Sequence, residues 1–194
     1  MNRNHSVPGS PQRRTPVCDR PNLGRSGLLT DWPVVLTPRL SIASAESADL
    51  PGLLTVRKSN PERLLRTEGS QGEPGLVTLE MLERDLMIAG MDPARAMLTV
   101  RLRDSDTLIG LADVLLEHPE DGHPWIGAIE IAKDFQRRSL GRETLRALLT
   151  ELVTRSGHDR VRCHVSRDDM IGRSFLEDAG FVPTFDDVWE SSGS

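Results

Sequence analysis

The 194-residue sequence contains no tyrosine, and its other aromatic residues are only four Phe and three Trp. Its two cysteines, Cys18 and Cys163, have no CxxC spacing, which argues against a disulfide framework or a zinc site and favours a reducing compartment. No apolar run approaches the length of a transmembrane helix. The basic N-terminus lacks the apolar segment that a signal peptide carries. We therefore expect a cytoplasmic protein with no metal and no membrane partner.

Charge is distributed unevenly along the chain. Residues 1–27 carry five Arg and one Asp, a net charge of +4, whereas the whole chain carries −5 and the remainder therefore −9. An acidic body argues against nucleic acid as a partner and is compatible with a cationic amine. Residues 1–27 are rich in Pro, Arg, Ser and Gly, which predicts a disordered basic arm, or one that folds over a neighbouring subunit. Residues 28–194 are expected to form one domain.

The hydrophobic pattern predicts elements in the order β-α-α-β-β-β-α-β-α-β, an α+β sheet with helices on both faces. The predicted strands cover residues 34–42, 96–102, 108–116, 125–131 and 161–165, with a short strand from Phe181 onward. The predicted helices cover residues 44–57 with Ser44 as N-cap, 78–89 with Gly90 as stop, 141–154 and 169–179. Gly and Pro residues interrupt the segment 59–77.

The most informative stretch is residues 129–142, IEIAKDFQRRSLGR, in which a β-branched run ends, a polar loop follows and an amphipathic helix begins. The N–H groups of such a loop and of the helix's first turn carry partial positive charge. Consecutive arginines, Arg137 and Arg138, add formal charge and forked donors. The segment therefore predicts a pyrophosphate-binding loop.

Gln136-x-x-Ser139-x-Gly141 in this segment resembles the Gln/Arg-x-x-Gly-x-Gly/Ala signature of the GNAT superfamily, the acetyl-CoA-dependent N-acetyltransferases. Residues 168–181, DDMIGRSFLEDAGF, resemble the Asn-led helix of that family, which ends in Gly-Phe. Residues 37–40, TPRL, are similar to the opening Thr-x-Arg-Leu of many members. The resemblance covers roughly residues 36 to 185, and the loop with its helix is locally similar to ribosomal-protein N-terminal acetyltransferases.

The resemblance implies a mixed, mostly antiparallel sheet whose fourth and fifth strands, residues 125–131 and 161–165, splay apart to admit the pantetheine arm of acetyl-CoA. It implies that the loop amides bind the pyrophosphate and that two strand residues contact the arm through their backbone. The residues so implied in binding acetyl-CoA, a co-substrate, are Ile129, Ile131, Gln136, Arg137, Arg138, Ser139, Leu140, Gly141, Arg142 and Asp169.

Two positions depart from the family pattern. Ser139 replaces the first loop glycine, which permits positive φ and close approach of phosphate oxygens, so weaker binding is expected. Leu176 stands where many members have a Tyr that can act as general acid, and the chain offers no tyrosine elsewhere. Ser174 and His164 are the nearest candidates in sequence to protonate the leaving sulfur.

Acetyl transfer requires a neutral amine, so a carboxylate or histidine must accept a proton. Glu130, on the fourth predicted strand, is the first candidate for this base, although it could instead be salt-bridged to a nearby Arg. The turn from His118 to His123 has metal-ligand residue types but no standard spacing, and a solvated hairpin tip is favoured.

The function expected is direct acetyl transfer from acetyl-CoA to a small-molecule or peptide amine. The alternative is a catalytically impaired CoA-binding sensor or interaction module on the same fold. A homodimer is possible, since homodimers are common in the family, but the sequence has no clear seam for one.

Overall fold

The computed structural model describes residues 32–63, 77–185 and 187–192. The predicted arm at residues 1–27 and most of the predicted loop at 59–77 lie outside these residues. The strands are β1 (Val35–Leu36), β2 (Leu40–Ser44), β3 (Arg95–Leu102), β4 (Leu108–Leu115), β5 (Trp125–Ile131), β6 (Arg160–His164), β7 (Val182–Pro183) and β8 (Val188–Ser192). Among the elements that are described in full, the helices of two turns or more are α1 (Leu50–Lys58), α2 (Leu79–Met91), α3 (Leu140–Ser156) and α4 (Met170–Glu177).

The described strands form one sheet in the order β1-β2-β3-β4-β5-β6-β8-β7. Neighbouring strands are antiparallel except β5 and β6, which are parallel and are joined through α3. Parallel strands need such a crossover, whereas antiparallel strands can be joined by short turns. The predicted mixed, mostly antiparallel α+β sheet is confirmed.

Helices cover both faces of the sheet, as predicted. On one face α1 and α2 bury a cluster that includes Leu53, Leu82, Met97 and Leu111. On the other face α3 inserts the leucines at positions 145, 148 and 152 into a larger cluster that also takes Leu176 of α4. The i, i+3, i+7 spacing of the three α3 leucines produces this single buried stripe.

Strands β5 and β6 separate after a short contact. Both are fully described, and they pair only at Trp125 and Ile126 of β5. The next residue, Gly127, has no partner in the β4 register, which shifts after Asp113. A bulge bends its strand and increases the local twist, and this one lies where the separation begins. The predicted splay between these two strands is therefore confirmed, and its position is set by the bulge.

The first predicted strand and helix need correction. Residues 34–42 do not form one strand, because the chain turns at Pro38, where the Thr37 N–H donates to the Leu40 carbonyl at 2.9 Å, and β1 folds back on β2. Ser44 is not a helix N-cap, since it is the last residue of β2. The helical region starts instead at a capping box of Glu46 and Asp49 that leads into α1.

Two later boundaries also differ from the prediction. Gly90 does not stop α2, which continues to Met91, and a Cβ at Gly90 would meet nothing within 4 Å. Met87 of this helix is 60% exposed. The C-terminal strand from Phe181 onward is two strands, because a turn closed by the Thr184 N–H and the Val188 carbonyl at 2.8 Å folds β7 onto β8.

Candidate functional site

The polar loop predicted to bind pyrophosphate connects β5 to α3 and is anchored by an amide side chain. Gln136 Nε2 lies 2.8 Å from the Ile131 carbonyl and 2.6 Å from Oδ1 of Asn60. Asn60 is 6% exposed and donates to the same carbonyl at 3.1 Å. The side chain of Gln136 therefore holds the loop against the end of β5, a role that the motif alone did not indicate.

Two non-glycine residues of this loop adopt left-handed backbone conformations. Arg137 has φ 61°, and Ser139, the N-cap of α3, has φ 61° and ψ 12°. A Cβ disfavours this region, which is why glycine is preferred there. Ser139 thus takes the conformation for which the signature has glycine. The loop keeps a left-handed backbone at this position, and the serine side chain makes that backbone strained.

The first turn of α3 presents backbone donors that the helix cannot satisfy. The first helical hydrogen bond runs from the Glu143 N–H to the Ser139 carbonyl at 3.0 Å. The N–H groups of Leu140, Gly141 and Arg142 precede it and have no acceptor within the helix. Leu140 is 4% exposed, so its side chain belongs to the core and only its backbone can serve a ligand. This donor set suits an anion such as a pyrophosphate.

The arginines near these amides are held in different ways. Arg138 places its guanidinium 5.5 Å from the ring centroid of Phe135. Arg142 forms an exposed pair with Asp178 at 3.1 Å. Arg137 is exposed on the loop. The side of the loop that faces solvent is therefore cationic, which complements the unsatisfied amides.

A network that the sequence analysis missed joins this loop to the turn between β1 and β2. Arg39 Nε lies 2.7 Å from one oxygen of Glu143, and Thr37 Oγ1 lies 2.6 Å from the other. Nη1 of Arg39 lies 3.0 Å from the Arg138 carbonyl. Burial alone would raise the pKa of Glu143, but the hydrogen bonds from Thr37 and Arg39 outweigh it and lower that pKa. The similarity of residues 37–40 to the family's opening motif was the available signal.

The backbone of β5 offers polar groups to the gap between β5 and β6. The Ala132 N–H donates to the Ile109 carbonyl of β4 at 2.8 Å. Backbone groups alternate in direction along a strand, so those of Ile129 and Ile131 face away from β4 and into the gap. This direction agrees with the backbone contact to the pantetheine arm that the resemblance implies for Ile129 and for the Ile131 N–H; the Ile131 carbonyl already accepts from Gln136 and Asn60.

A cleft of about 590 Å³ crosses the sheet at this gap. On the α1 and α2 face it is lined by charged side chains, including Glu130. On the α4 side it is lined by residues of β6 and α4, including His164, Asp169 and Phe175. We call the first part the acceptor half and the second the donor half.

Glu130 lies at the acceptor half and is almost completely buried, with a side chain 1% exposed. Its Oε1 pairs with Arg63 and lies 3.8 Å from Nε of Arg57. Its Oε2 is buried and has no hydrogen-bond partner among the described residues. The salt-bridged alternative for this residue is therefore present, and one buried carboxylate oxygen has no hydrogen-bond partner among the described residues.

The remaining charges of the acceptor half are also paired. Arg95 forms a forked contact with Asp113, at 3.0 Å and 2.6 Å, and this hydrogen bond raises the pKa of Arg95. Arg57 lies 3.9 Å from Asp85. Together with Glu130 and Arg63, the described lining of the acceptor half has three cations and three anions, so the formal charge of that half is balanced.

In the donor half, Asp169 is the N-cap of α4. Its carboxylate accepts from the Gly172 N–H at 3.1 Å, and a Cβ at Gly172 would lie 2.5 Å from that carboxylate. Glycine is therefore required for the close approach. Cys163 also lines the cleft, and burial raises the pKa of its thiol to about 12, which leaves it protonated at neutral pH.

The two residues considered for protonation of sulfur are placed differently. His164 is exposed at the end of β6 and lines the cleft. Ser174 is exposed on α4 and lies outside the described lining. Leu176, at the position where many family members have Tyr, is 6% exposed and lines the cleft. The structure brings His164, but not Ser174, to the cleft.

The turn between β4 and β5 is organised by hydrogen bonds and ring contacts. The His118 ring stacks on Trp125 at 4.5 Å, and Asp121 accepts from Arg162 at 2.9 Å. Over residues 32–63, 77–185 and 187–192, no group of three or more His, Cys, Asp and Glu is arranged to hold a metal ion. In the same residues no helix combines the length and apolarity needed to cross a membrane.

Comparison with solved structures finds related folds. An acetyltransferase from Thermus thermophilus is 26% identical over 82% of this chain and 99% of its own, with TM-score 0.66. RimL, a ribosomal-protein alpha-N-acetyltransferase solved with coenzyme A, is 13% identical, with TM-score 0.66 and coverage of 82% and 98%. A spermidine N-acetyltransferase from Vibrio cholerae, solved with CoA and spermine, is 19% identical, with TM-score 0.60 and coverage of 79% and 94%. The last two likenesses show the fold alone.

The sequence also matches a family model. No curated protein sequence matches the chain. The model of the acetyltransferase (GNAT) family matches residues 65–181, more than half of the chain and both motifs described above. The chain is therefore a member of the GNAT acetyltransferase family.

Proposed function

We propose that this protein is an N-acetyltransferase that moves an acetyl group from acetyl-CoA to a primary amine by direct attack. The observation that carries the proposal is the cleft between β5 and β6. A buried carboxylate, Glu130, lines this cleft, and β5, which forms one of its walls, leads directly into the cationic, amide-rich loop before α3. A protein that holds donor and acceptor in line across such a cleft lowers the barrier chiefly by orienting them.

In this proposal the donor is held mainly by backbone. The unsatisfied N–H groups of Leu140, Gly141 and Arg142 bind the pyrophosphate, with Arg137 and Arg138 adding positive charge. The backbone groups of Ile129 and the N–H of Ile131 pair with the amide-bearing arm, because the Ile131 carbonyl already accepts from Gln136 and Asn60. Acetyl-CoA supplies an activated thioester, so no covalent intermediate on the protein is needed.

Glu130 is proposed as the general base for the acceptor. Its Oε2, which has no hydrogen-bond partner among the described residues, accepts a proton from the incoming ammonium, and this frees the nitrogen lone pair. The nitrogen then attacks the thioester carbonyl carbon, the carbon–sulfur bond breaks, and the nitrogen loses its second proton, which replaces the proton that His164 gives to the sulfur. The products are an N-acetyl amide and the coenzyme A thiol. Oε1 remains with Arg63, which holds the carboxylate in place.

His164 is the proposed source of the proton that the leaving sulfur takes up. It lines the donor half of the cleft, whereas Ser174 lies outside the described lining. A thiolate is a fair leaving group, so the acid contributes less here than the base does. Because the sequence has no tyrosine, the proton for the sulfur has to come from another group.

The charge balance of the acceptor half favours an acceptor with a single ammonium group. One structural neighbour is a spermidine N-acetyltransferase, but a polyamine carries several positive charges and needs a surplus of carboxylates. Here each described carboxylate of the acceptor half faces an Arg. We therefore propose a monoamine or a peptide N-terminus, acetylated in the cytoplasm.

The second candidate function is a CoA-binding sensor that no longer catalyses. Leu176 at the position where many members have Tyr favours this candidate, because a buried leucine cannot donate a proton to sulfur. The strained backbone of Ser139 is compatible with a sensor as well, since it affects the affinity for acetyl-CoA and not the transfer reaction.

The first experiment measures the thermal midpoint of unfolding with acetyl-CoA, with free coenzyme A and with NAD as the control. A ligand at about 100 times its dissociation constant adds roughly 2.7 kcal/mol if it binds only the folded state, which is a shift of several degrees. A shift with both CoA ligands and none with NAD supports the donor site. No shift with either CoA ligand contradicts both candidate functions.

The second experiment separates the candidates by measuring thiol release with a panel of acceptors. The panel contains a free amino acid, a peptide with a free N-terminus, an aminoglycoside and spermidine, and mass spectrometry identifies the acetylated product. Turnover of a peptide or a monoamine, with little turnover of spermidine, supports the proposal. Binding of acetyl-CoA without turnover of any acceptor favours the sensor.

A further inference from the structure

The turn between β1 and β2 is tied to the donor loop by one arginine. Arg39 makes two contacts to the Glu143 carboxylate through its side chain, at 2.7 Å and 2.6 Å, and a third through its backbone N–H at 3.0 Å. The same guanidinium donates to the Arg138 carbonyl at 3.0 Å. Thr37 donates to Glu143 at 2.6 Å. The turn therefore holds a carboxylate of the helix and a carbonyl of the loop at once.

The contact with the Arg138 carbonyl determines where the next N–H points. In a planar trans peptide the C=O of one residue and the N–H of the next point in opposite directions. Arg39 fixes the Arg138 C=O, so the Ser139 N–H is directed away from Arg39. This peptide lies between two residues with left-handed backbone, Arg137 and Ser139, where an unsupported loop would relax toward less strained conformations.

The contact with Glu143 has an electrostatic consequence. Glu143 lies in the first turn of α3, beside the amides proposed to bind the pyrophosphate. An uncompensated carboxylate at that position would repel a phosphate, although it suits the helix dipole. Paired with a guanidinium that never loses its proton, the same carboxylate contributes little net charge to the donor site.

We propose that Arg39 is a positioning residue for the donor site, which orients the Ser139 N–H toward the pyrophosphate and neutralises Glu143. This inference rests on the proposed function, since it assigns Arg39 to the binding of the CoA pyrophosphate. Arg39 touches no reacting atom. It acts through the Arg138–Ser139 peptide and through Glu143.

The test compares Arg39→Ala with Arg160→Ala. Arg160 is a matched control, because it pairs with Glu190 at 2.8 Å and its side chain and that of Glu190 are 55% and 10% exposed, against 47% and 16% for Arg39 and Glu143. Arg160 lies on β6, and its sequence position and its pairing with Glu190 place it in neither the donor loop nor the Arg39 network. Calorimetric titration gives the dissociation constants for coenzyme A and for pantetheine, which lacks the pyrophosphate. The thermal midpoint without ligand reports on stability.

We expect Arg39→Ala to weaken coenzyme A binding about tenfold, the effect of losing one charge-assisted hydrogen bond of roughly 1.4 kcal/mol. Pantetheine binding should change by less than about twofold, and Arg160→Ala should leave both dissociation constants within about twofold of the wild type. The midpoints of the two variants should be similar.

Two results would overturn the inference. One is a coenzyme A dissociation constant for Arg39→Ala that is indistinguishable from that of Arg160→Ala. The other is an equal loss for coenzyme A and pantetheine with a lower midpoint than that of Arg160→Ala, because a general loosening of the fold would cause it. Failure of the wild-type protein to bind coenzyme A would instead remove the proposed function before any variant is compared.

Discussion

The donor loop before α3 and the acceptor half of the cleft present different chemical groups. The donor loop offers backbone N–H groups whose direction depends on two left-handed residues and on Arg39. The acceptor half offers buried side-chain charges, in which Glu130 faces two arginines. A site made of backbone tolerates many side chains but depends on loop conformation. A site made of buried charges depends on the identity of each residue, because a broken pair leaves the other charge without compensation.

The largest expected effect is on the acceptor half. Glu130→Gln keeps the shape of the side chain but removes the proposed base, so kcat/KM should fall by about a hundredfold or more. The shift of the thermal midpoint with acetyl-CoA should remain. Steady-state thiol release and ligand-dependent melting measure the two quantities.

The control for this variant is Glu190→Gln. Glu190 is also a buried carboxylate between two arginines, Arg160 and Arg162, but it lies outside the described lining of the cleft. The Glu190→Gln variant should be less stable than the wild type, but kcat/KM of its folded fraction should be unchanged. Equal turnover losses in the two variants would show that carboxylate removal acts through the fold and not through proton transfer.

A smaller effect should follow from the cap of α4, where the donor half depends on a side chain. Asp169→Ala removes the acceptor of the Gly172 N–H and should cost about 1 kcal/mol, a fall in thermal midpoint of roughly 2–4 °C. Asp169→Asn, which restores the residue that the family has here, should stay within a few tenths of a kcal/mol of the wild type. An asparagine variant as unstable as the alanine variant would mean that the ionic interactions of Asp169 matter more than its cap.

The third prediction concerns the left-handed backbone of Ser139. It tests whether the backbone conformation of the donor loop affects stability and coenzyme A binding. Ser139→Gly should stabilise the protein by about 0.5–1 kcal/mol, because relief of the left-handed strain exceeds the entropy that glycine adds to the unfolded chain. Coenzyme A should bind somewhat more tightly. Ser139→Ala keeps the strain and loses the hydroxyl, so it should show neither gain. If both variants bind more tightly, removal of the hydroxyl and not of the strain is responsible.

The smallest effect concerns the dependence of stability on pH. The pKa of Glu143 lies below its ordinary value of 4.5. The ionised carboxylate therefore contributes stability that is present above about pH 4.5 and is lost as the pH falls through the lowered pKa. Urea unfolding of wild type and Glu143→Gln should differ by less than about 1 kcal/mol near pH 7, and the difference should shrink near pH 3. A difference that grows with acidity would contradict the Arg39 and Thr37 contacts.

The elements whose apolar residues have clear helical spacing were predicted well. The errors lie where a turn divides a run of apolar residues. The leucine stripe of α3 and the cap at Asp169 follow from local spacing. Pro38 lies inside a run that reads as one strand, and its hairpin was missed because the run stays apolar on both sides of it. Glu46 and Asp49 have the spacing of a capping box, which could have been recognised from the sequence. The prediction of Ser44 as the N-cap was wrong.

Within the cleft, sequence identified residue types and could not identify their partners. Glu130 was named as a carboxylate on a strand, but its pairing with Arg63 joins residues 67 positions apart. The Arg39 contact to Glu143 spans 104 positions. Spacing rules describe neighbours within one helix or one hairpin, and they carry no information on such distant contacts.

The sequence by itself determined the local features of this protein: the helix stripes, the cap of α4 and the loop signature with its arginines, because each depends on residues a few positions apart. Only the tertiary structure decided that β5 separates from β6 at the Gly127 bulge, that Glu130 keeps one oxygen free of hydrogen bonds in the described cleft, and that Arg39 supports the donor loop. These depend on strand register and on burial, which arise only when distant segments of the chain pack together.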